Sequence, residues 1–151
     1  MSDHLGIGLI GCGEQGRVNL ASGVARIESA RLVACADPDE GAARRVADEF
    51  GVEKVYKTTD ELVGSSGVDA VIVAVPHLHL KAETLVAIEA GKHVFIEKPM
   101  GMSAAEGGEI VEAAEKQGVV AMVGYCMRYT LSRMAVKSLL DKAPRAALRI
   151  L

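Results

Sequence analysis

Six short apolar runs, each closed by glycine, proline or a charged residue and each followed by a segment of helical character, constrain this chain more than any other feature. The runs cover residues 5–10, 31–36, 54–56, 69–75, 93–96 and 119–123. The fourth, Asp69-Ala70-Val71-Ile72-Val73-Ala74-Val75, is the plainest strand, a β-branched stretch stopped by Pro76. Helical spacing marks 14–26, 40–50, 77–90 and 103–116 between them. Strands joined by crossovers of this length must pair in parallel, because a tight hairpin cannot reverse the chain there. The expected fold is therefore α/β, a doubly wound, mostly parallel sheet with helices on both faces.

The punctuation agrees. Asp37-Pro38-Asp39 ends the second run and opens a helix that Gly51 closes. Thr58 or Thr59 caps a short helix containing Glu61 and Leu62. Ser103, with Glu106 at the capping-box position, starts a helix that ends before Gly118. Half of the 151 residues are hydrophobic but only 3% are aromatic, so Ala, Val, Leu and Ile must fill the interior. That composition suits strands buried on both faces. After Gly124 the pattern changes. A helix is expected over 130–142, then Pro144, then an alternating stretch at 145–151 with Ala146, Leu148 and Ile150 on one side. It reads as a half-exposed strand with no partner in the remaining chain. The expected division is residues 1–125 as one domain and 126–151 as a connecting helix and the first strand of an absent second α/β domain. Such an unpaired strand predicts self-association, so a homo-oligomer is expected.

A formal net charge of −3 gives no electrostatic footprint for nucleic acid, and no basic cluster marks a membrane surface. No apolar run reaches the length of a membrane-spanning helix, and Met1-Ser2-Asp3-His4 carries no basic leader. A cytoplasmic protein is the expectation. Cys12, Cys35 and Cys126 stand apart, without CxxC or His/Cys ligand spacing, and read as reduced core residues rather than metal ligands.

Directly after the first run comes Gly11-Cys12-Gly13-Glu14-Gln15-Gly16, opening the first helix. A GxGxxG spacing arises by chance in a glycine-rich chain, and a tight turn without ligand is the plain alternative. In a strand–turn–helix context each glycine has a reason: Gly11 for the turn, Gly13 for close approach of a pyrophosphate, Gly16 for helix-on-strand packing. The helix start adds unpaired N–H groups and positive partial charge. Asp37 lies 21 residues past Gly16, at the end of the second strand. A carboxylate there accepts from the ribose hydroxyls of an adenosine and repels a 2′-phosphate, which favours NAD over NADP. An N-cap role for Asp37 is the alternative, and the two can coexist. Arg44 and Arg45 read as a solvated helix face.

Glu97-Lys98-Pro99 follows the fifth strand, and ligands of open α/β sheets bind beyond the carboxyl ends of the strands. A lysine beside a glutamate and near a nicotinamide suits acid–base work, although the tripeptide alone is an ordinary surface turn. Taken with the glycine turn, Gly91-Lys92-His93-Val94-Phe95-Ile96-Glu97-Lys98-Pro99-Met100, Ala74-Val75-Pro76 and Gly124-Tyr125-Cys126-Met127-Arg128-Tyr129 resemble the Gfo/Idh/MocA oxidoreductase family over essentially the whole chain. The resemblance implies a Rossmann domain that precedes a domain built on a large open sheet. It also implies oxidation or reduction of sugars, inositols or related polyols with NAD or NADP. By that resemblance Lys98 binds the reacting hydroxyl or relays its proton, Glu97 and Pro99 shape the nicotinamide end, the Lys98–Pro99 peptide is cis, and Arg128 matches the family motif. His77 stands where the family often has Asn, Leu80 where it has His, and Cys126 where Asn is common. His77 and His79 are read as lining the cofactor site, since nothing is spaced with them as a third metal ligand. The family's substrate-domain His has no counterpart among these 151 residues.

The expected activity is hydride transfer between nicotinamide and a small-molecule sugar or polyol. The bare chain is expected to bind cofactor with little or no turnover, because substrate placement supplies much of a rate. Two other classes compete. One is a non-catalytic NAD(H)-binding module. The other is an S-adenosylmethionine-dependent methyltransferase, against which Glu97-Lys98-Pro99 stands.

Overall fold

The computed structural model describes residues 4–142. A single sheet of six parallel strands runs in the order β3-β2-β1-β4-β5-β6, with β1 Leu5–Ile10, β2 Ala30–Ala36, β3 Lys54–Tyr56, β4 Ala70–Val73, β5 His93–Ile96 and β6 Ala121–Val123. The order reverses between β1 and β4, so the loops leaving those two strands diverge and open a crevice at their carboxyl ends. The doubly wound α/β expectation holds. β1 is the keel: Ile7 lies opposite Leu32 on one side and Ala70 on the other.

Side chains of β1 alternate between two cores. Ile10 joins Val71, Val73, Val94 and Ile96 under α4 (His77–Glu89) and α5 (Ala104–Gln117), which contribute Leu80, Ala87, Ile88, Ile110 and Ala114. Ile7 and Leu9 face the opposite side, where α2 (Glu40–Phe50) contributes Ala42, Ala43, Val46 and Ala47. This second face is covered over β1–β3. Over β4–β6 it leaves a trough of about 490 Å³ against Ile72, Phe95, Val120 and Met122.

Several expected boundaries shift for local reasons. The first helix is a π-helical segment, Gln15–Ala21, that finishes in one α turn, α1 (Ser22–Val24). Ser22 Oγ donates to the Val18 carbonyl four residues back, a bond that competes with the regular ladder. The strand expected over 69–75 is shorter, Ala70–Val73, although the Asp69 and Ala74 N–H groups still donate to the Gly6 and Ile10 carbonyls at its two ends, and the Asp69 carboxylate also accepts the Gly6 N–H. Asp39, not Asp37, caps α2 by accepting from the Gly41 and Ala42 N–H groups. Thr58 caps α3 (Thr59–Val63) in a full capping box with Glu61. At α5 the expected box is one-sided: Ser103 accepts the Glu106 N–H, but Glu106 accepts from Met102 N–H.

The cysteine expectation is corrected at one position. Cys12 and Cys35 are buried, but Cys126 is exposed, because the short helical turn Cys126–Tyr129 after β6 has no layer over it. The expected helix forms as α6 (Leu131–Lys142) and buries none of its side chains. Pro144 and the expected strand at 145–151, on which the expectation of self-association rested, lie outside the described residues. Among the described residues no helix is long and apolar enough to cross a membrane, and no cluster of His, Cys, Asp and Glu is arranged to hold a metal.

Candidate functional site

The crevice between the loops after β1 and β4 is built by glycine packing. Gly11 has φ +90°, a left-handed conformation that L side chains avoid, and a Cβ there would sit 2.4 Å from the Ala74 carbonyl oxygen. A Cβ on Gly16 would sit 2.0 Å from the Gly11 carbonyl oxygen. Turn, helix start and β4 loop are thus pressed together with no space for a methyl group. Gly13 differs: nothing lies within 4 Å of the position a Cβ would take. Its backbone edge opens onto the crevice.

Two clefts meet across Gly13, Ala74, Val75 and Pro76. One, of about 600 Å³, runs toward Asp37; the other, of about 520 Å³, runs toward Lys98. Asp37 is locked at the end of β2. Its Oδ2 accepts the Cys12 N–H at 2.8 Å and its Oδ1 accepts the Asp39 N–H at 2.8 Å. The carboxylate therefore ties the glycine turn to the second strand and faces the larger cleft. Cys12, whose N–H makes that bond, has its thiol far above the ordinary range, through its hydrogen bond with Cys35 and its burial. It is an inert wall, not a nucleophile.

At the other end Glu97 is buried and fully engaged. Its Oε1 accepts from Gln15 Nε2 at 2.8 Å, and its Oε2 accepts the Lys98 N–H at 3.0 Å. Asn19 Nδ2 donates to Gln15 Oε1 at 2.8 Å, which orients the Gln15 amide nitrogen toward Glu97. The glycine fingerprint and Glu97-Lys98-Pro99, 82 residues apart from Gln15 to Glu97, are thereby joined by one hydrogen bond. Lys98 Nζ stands 3.7 Å from Glu97 Oε2, with its side chain 56% exposed over the smaller cleft. The Lys98–Pro99 peptide is cis.

Gly11, Gly13, Glu14, Gln15, Ala74, Val75, Pro76, His77, His79, Asp37, Glu97 and Lys98 all border one of the two clefts. Cys12 and Gly16 support them from below. Arg128 stands apart, in a different cleft with Tyr129 and Arg133 of α6. The sequence reading missed Lys57, Thr59 and Glu83, which wall the cleft beside Asp37. In the sequence Thr59 stands out only as a possible helix cap. Glu83 carries no local signal, since it sits inside an ordinary helical stretch and reaches the crevice only through the turn of α4.

These residues suit an extended dinucleotide. The two clefts adjoin in one trough whose middle is the open face of Gly13 at a helix start; one end carries a fixed carboxylate and the other an amine.

Residues 5–125 match the family model described as an oxidoreductase family with an NAD-binding Rossmann fold, GFO/IDH/MocA. The chain is 38% identical over 139 residues to inositol 2-dehydrogenase 1 of Saccharopolyspora erythraea, covering 89% of this chain and 41% of that protein. It is 30% identical over 141 residues to the scyllo-inositol 2-dehydrogenase (NAD(+)) of Bacillus subtilis, covering 93% and 41%. The crystal structure of scyllo-inositol dehydrogenase from Lactobacillus casei with bound NAD(H) and scyllo-inositol superposes with a TM-score of 0.85 at 28% identity, covering 92% of this chain and 41% of that one. The chain spans about two fifths of the length of the relatives it matches.

Proposed function

Because this chain belongs to the Gfo/Idh/MocA oxidoreductase family, as its NAD-binding Rossmann domain, we propose that it holds NAD across the two clefts and presents Lys98 to a hydroxyl of an inositol or related polyol. The observation that carries the reading is the Gln15–Glu97 hydrogen bond, which sets the glycine turn and Lys98 on one rigid rim. Backbone N–H groups at the start of the π-helical segment meet the pyrophosphate over Gly13. Asp37, already oriented by two backbone donors, accepts from the adenosine ribose hydroxyls and repels a 2′-phosphate, so NAD is favoured over NADP. NAD supplies the acceptor for the hydride leaving the carbinol carbon. Lys98 Nζ would hold the reacting oxygen by a hydrogen bond and, only from its neutral amine form, accept the hydroxyl proton to become the ammonium that pairs with Glu97. His77 and His79 line the walls.

Residues 126–151 are read as a connecting segment leading toward substrate-placing elements. On that reading the 151-residue chain by itself binds cofactor and turns over little. A second reading, a module that holds NAD(H) without catalysis, is favoured by the exposure of Lys98, which has Glu97 alone as an ion-pair partner among the described residues. Steady-state NADH production from myo- and scyllo-inositol separates the two: a low but measurable rate that Lys98→Ala abolishes supports catalysis, and no rate above the enzyme-free blank supports the binding module.

The central test is isothermal titration with NAD and NADP on wild type and Asp37→Ala. Wild type is expected to prefer NAD, and Asp37→Ala to lose roughly 10-fold or more in NAD affinity while the two cofactors draw level, since a hydrogen bond to a charged group contributes about 1.5–3 kcal/mol. Absence of saturable binding of either cofactor overturns the reading.

A further inference from the structure

We infer that Glu83, oriented by Thr59, is a base-reading site at the far end of the cofactor cleft, selecting a purine that carries a 6-amino group over one that carries a 6-oxo group. The inference rests on the NAD reading above and adds to it the recognition of the base.

With a ribose held at Asp37, the attached base must leave the ribose on the side away from Lys98. The cleft of about 600 Å³ continues in that direction and is walled by Pro38, Lys57, Thr59, His79 and Glu83. Two of these groups are locked together. Thr59 is 6% exposed, and its hydroxyl donates to Glu83 Oε2. Thr59 is the first residue of α3 and Glu83 lies in the second turn of α4, so the pair bridges two helices at the cleft wall. Glu83 Oε1 takes no hydrogen bond among the described residues. An ionised carboxylate only accepts, and here one of its oxygens is consumed by Thr59 while the other remains for a ligand donor.

That chemistry discriminates. An exocyclic amine offers N–H to Oε1. A 6-oxo purine puts a carbonyl oxygen at the same place, so that two acceptors face each other and the carboxylate is left unpaired against the base. A site built to receive a donor penalises the analogue lacking it more than an apolar pocket can. His79, two residues into α4 from its first residue, flanks the same cleft and offers a flat ring beside the base. Lys57 is a donor-only group that lines the same cleft and suits the ring nitrogens rather than the amine.

The experiment compares NAD with nicotinamide hypoxanthine dinucleotide, in which a 6-oxo group replaces the 6-amino group and N1 carries a hydrogen, by isothermal titration of the 151-residue chain. Wild type is expected to bind NAD about 10-fold more tightly, the equivalent of one good hydrogen bond. Glu83→Gln, whose amide can donate as well as accept, is expected to bring the ratio within about 3-fold. Glu83→Ala serves as a second variant, with melting temperature as the control for folding, and is expected to narrow the ratio similarly by weakening NAD alone. Equal wild-type affinities for the two dinucleotides, or a preference unchanged in both folded variants, overturns the base-reading role while leaving the NAD reading intact. Failure of both dinucleotides to bind overturns the NAD reading and this site with it.

Discussion

The two ends of the crevice are made differently. Toward Asp37 everything is fixed by this chain: two backbone donors hold the carboxylate, a buried hydroxyl holds Glu83, and neither Gly11 nor Gly16 can accept a methyl group. Toward Lys98 the support is equally firm up to Glu97 and then stops. Glu97 accepts two hydrogen bonds, from Gln15 Nε2 and the Lys98 N–H, yet the lysine amine reaches past it at 3.7 Å with more than half its side chain in solvent. The difference teaches where the cost of ordering falls. Binding at the Asp37 end meets groups already in place, whereas chemistry at Lys98 requires a flexible amine to be immobilised by whatever completes the site.

Substitutions at the two ends should have unequal effects. The largest effect is expected from Gly16→Ala, because the new Cβ would overlap the Gly11 carbonyl oxygen at 2.0 Å. NAD affinity should fall by about 100-fold or more, and urea melts should show a loss of roughly 1–3 kcal/mol, the usual cost of overpacking. Retained NAD binding would mean that the turn adapts.

Thiol chemistry probes the same closed end without mutation. Under native conditions iodoacetamide should modify Cys126 at least roughly 100-fold faster than Cys12 or Cys35, since the latter two are buried and Cys12 is held protonated by Cys35 and by burial. Peptide mass mapping that finds Cys12 labelled as fast as Cys126 would show the glycine turn opening readily.

A smaller effect is expected where the two ends are coupled. Gln15→Leu removes the donor to Glu97 Oε1 and leaves a buried carboxylate oxygen unpaired, which costs about 1–3 kcal/mol in thermal or urea unfolding. An unchanged stability would separate the glycine turn from Glu97. The smallest is Lys98→Ala, which should leave NAD affinity within about 2-fold and stability within about 0.5 kcal/mol, as for exposed side chains generally. A large loss of affinity would place the amine in the ground-state cofactor site and erase the contrast between the two ends.

Much of this was legible in the sequence. The six strands and their parallel pairing follow from apolar runs separated by helical segments, and Gly11, Gly16, Asp37 and Lys98 stand where local spacing puts them. What was not legible concerns side chains that act across the fold. Asp39 sits two residues from Asp37, and nothing in the pattern Asp37-Pro38-Asp39 says which carboxylate caps and which faces the cleft. Thr59 and Glu83 are 24 residues apart and carry no motif. Cys126 looked like a core residue because its neighbours are apolar, but exposure depends on what packs above it.

The strand–helix alternation, the turn that Gly11 alone permits, and the carboxyl-end placement of the charged residues are all set locally, by hydrophobic period and backbone sterics. The strand order with its reversal between β1 and β4, the pairing of Gln15 with Glu97 and of Thr59 with Glu83, and the choice of carboxylate that faces the cleft emerge from the folded packing. Those depend on contacts between residues far apart in the chain, and a hydrogen bond leaves no periodic trace in the residues that make it.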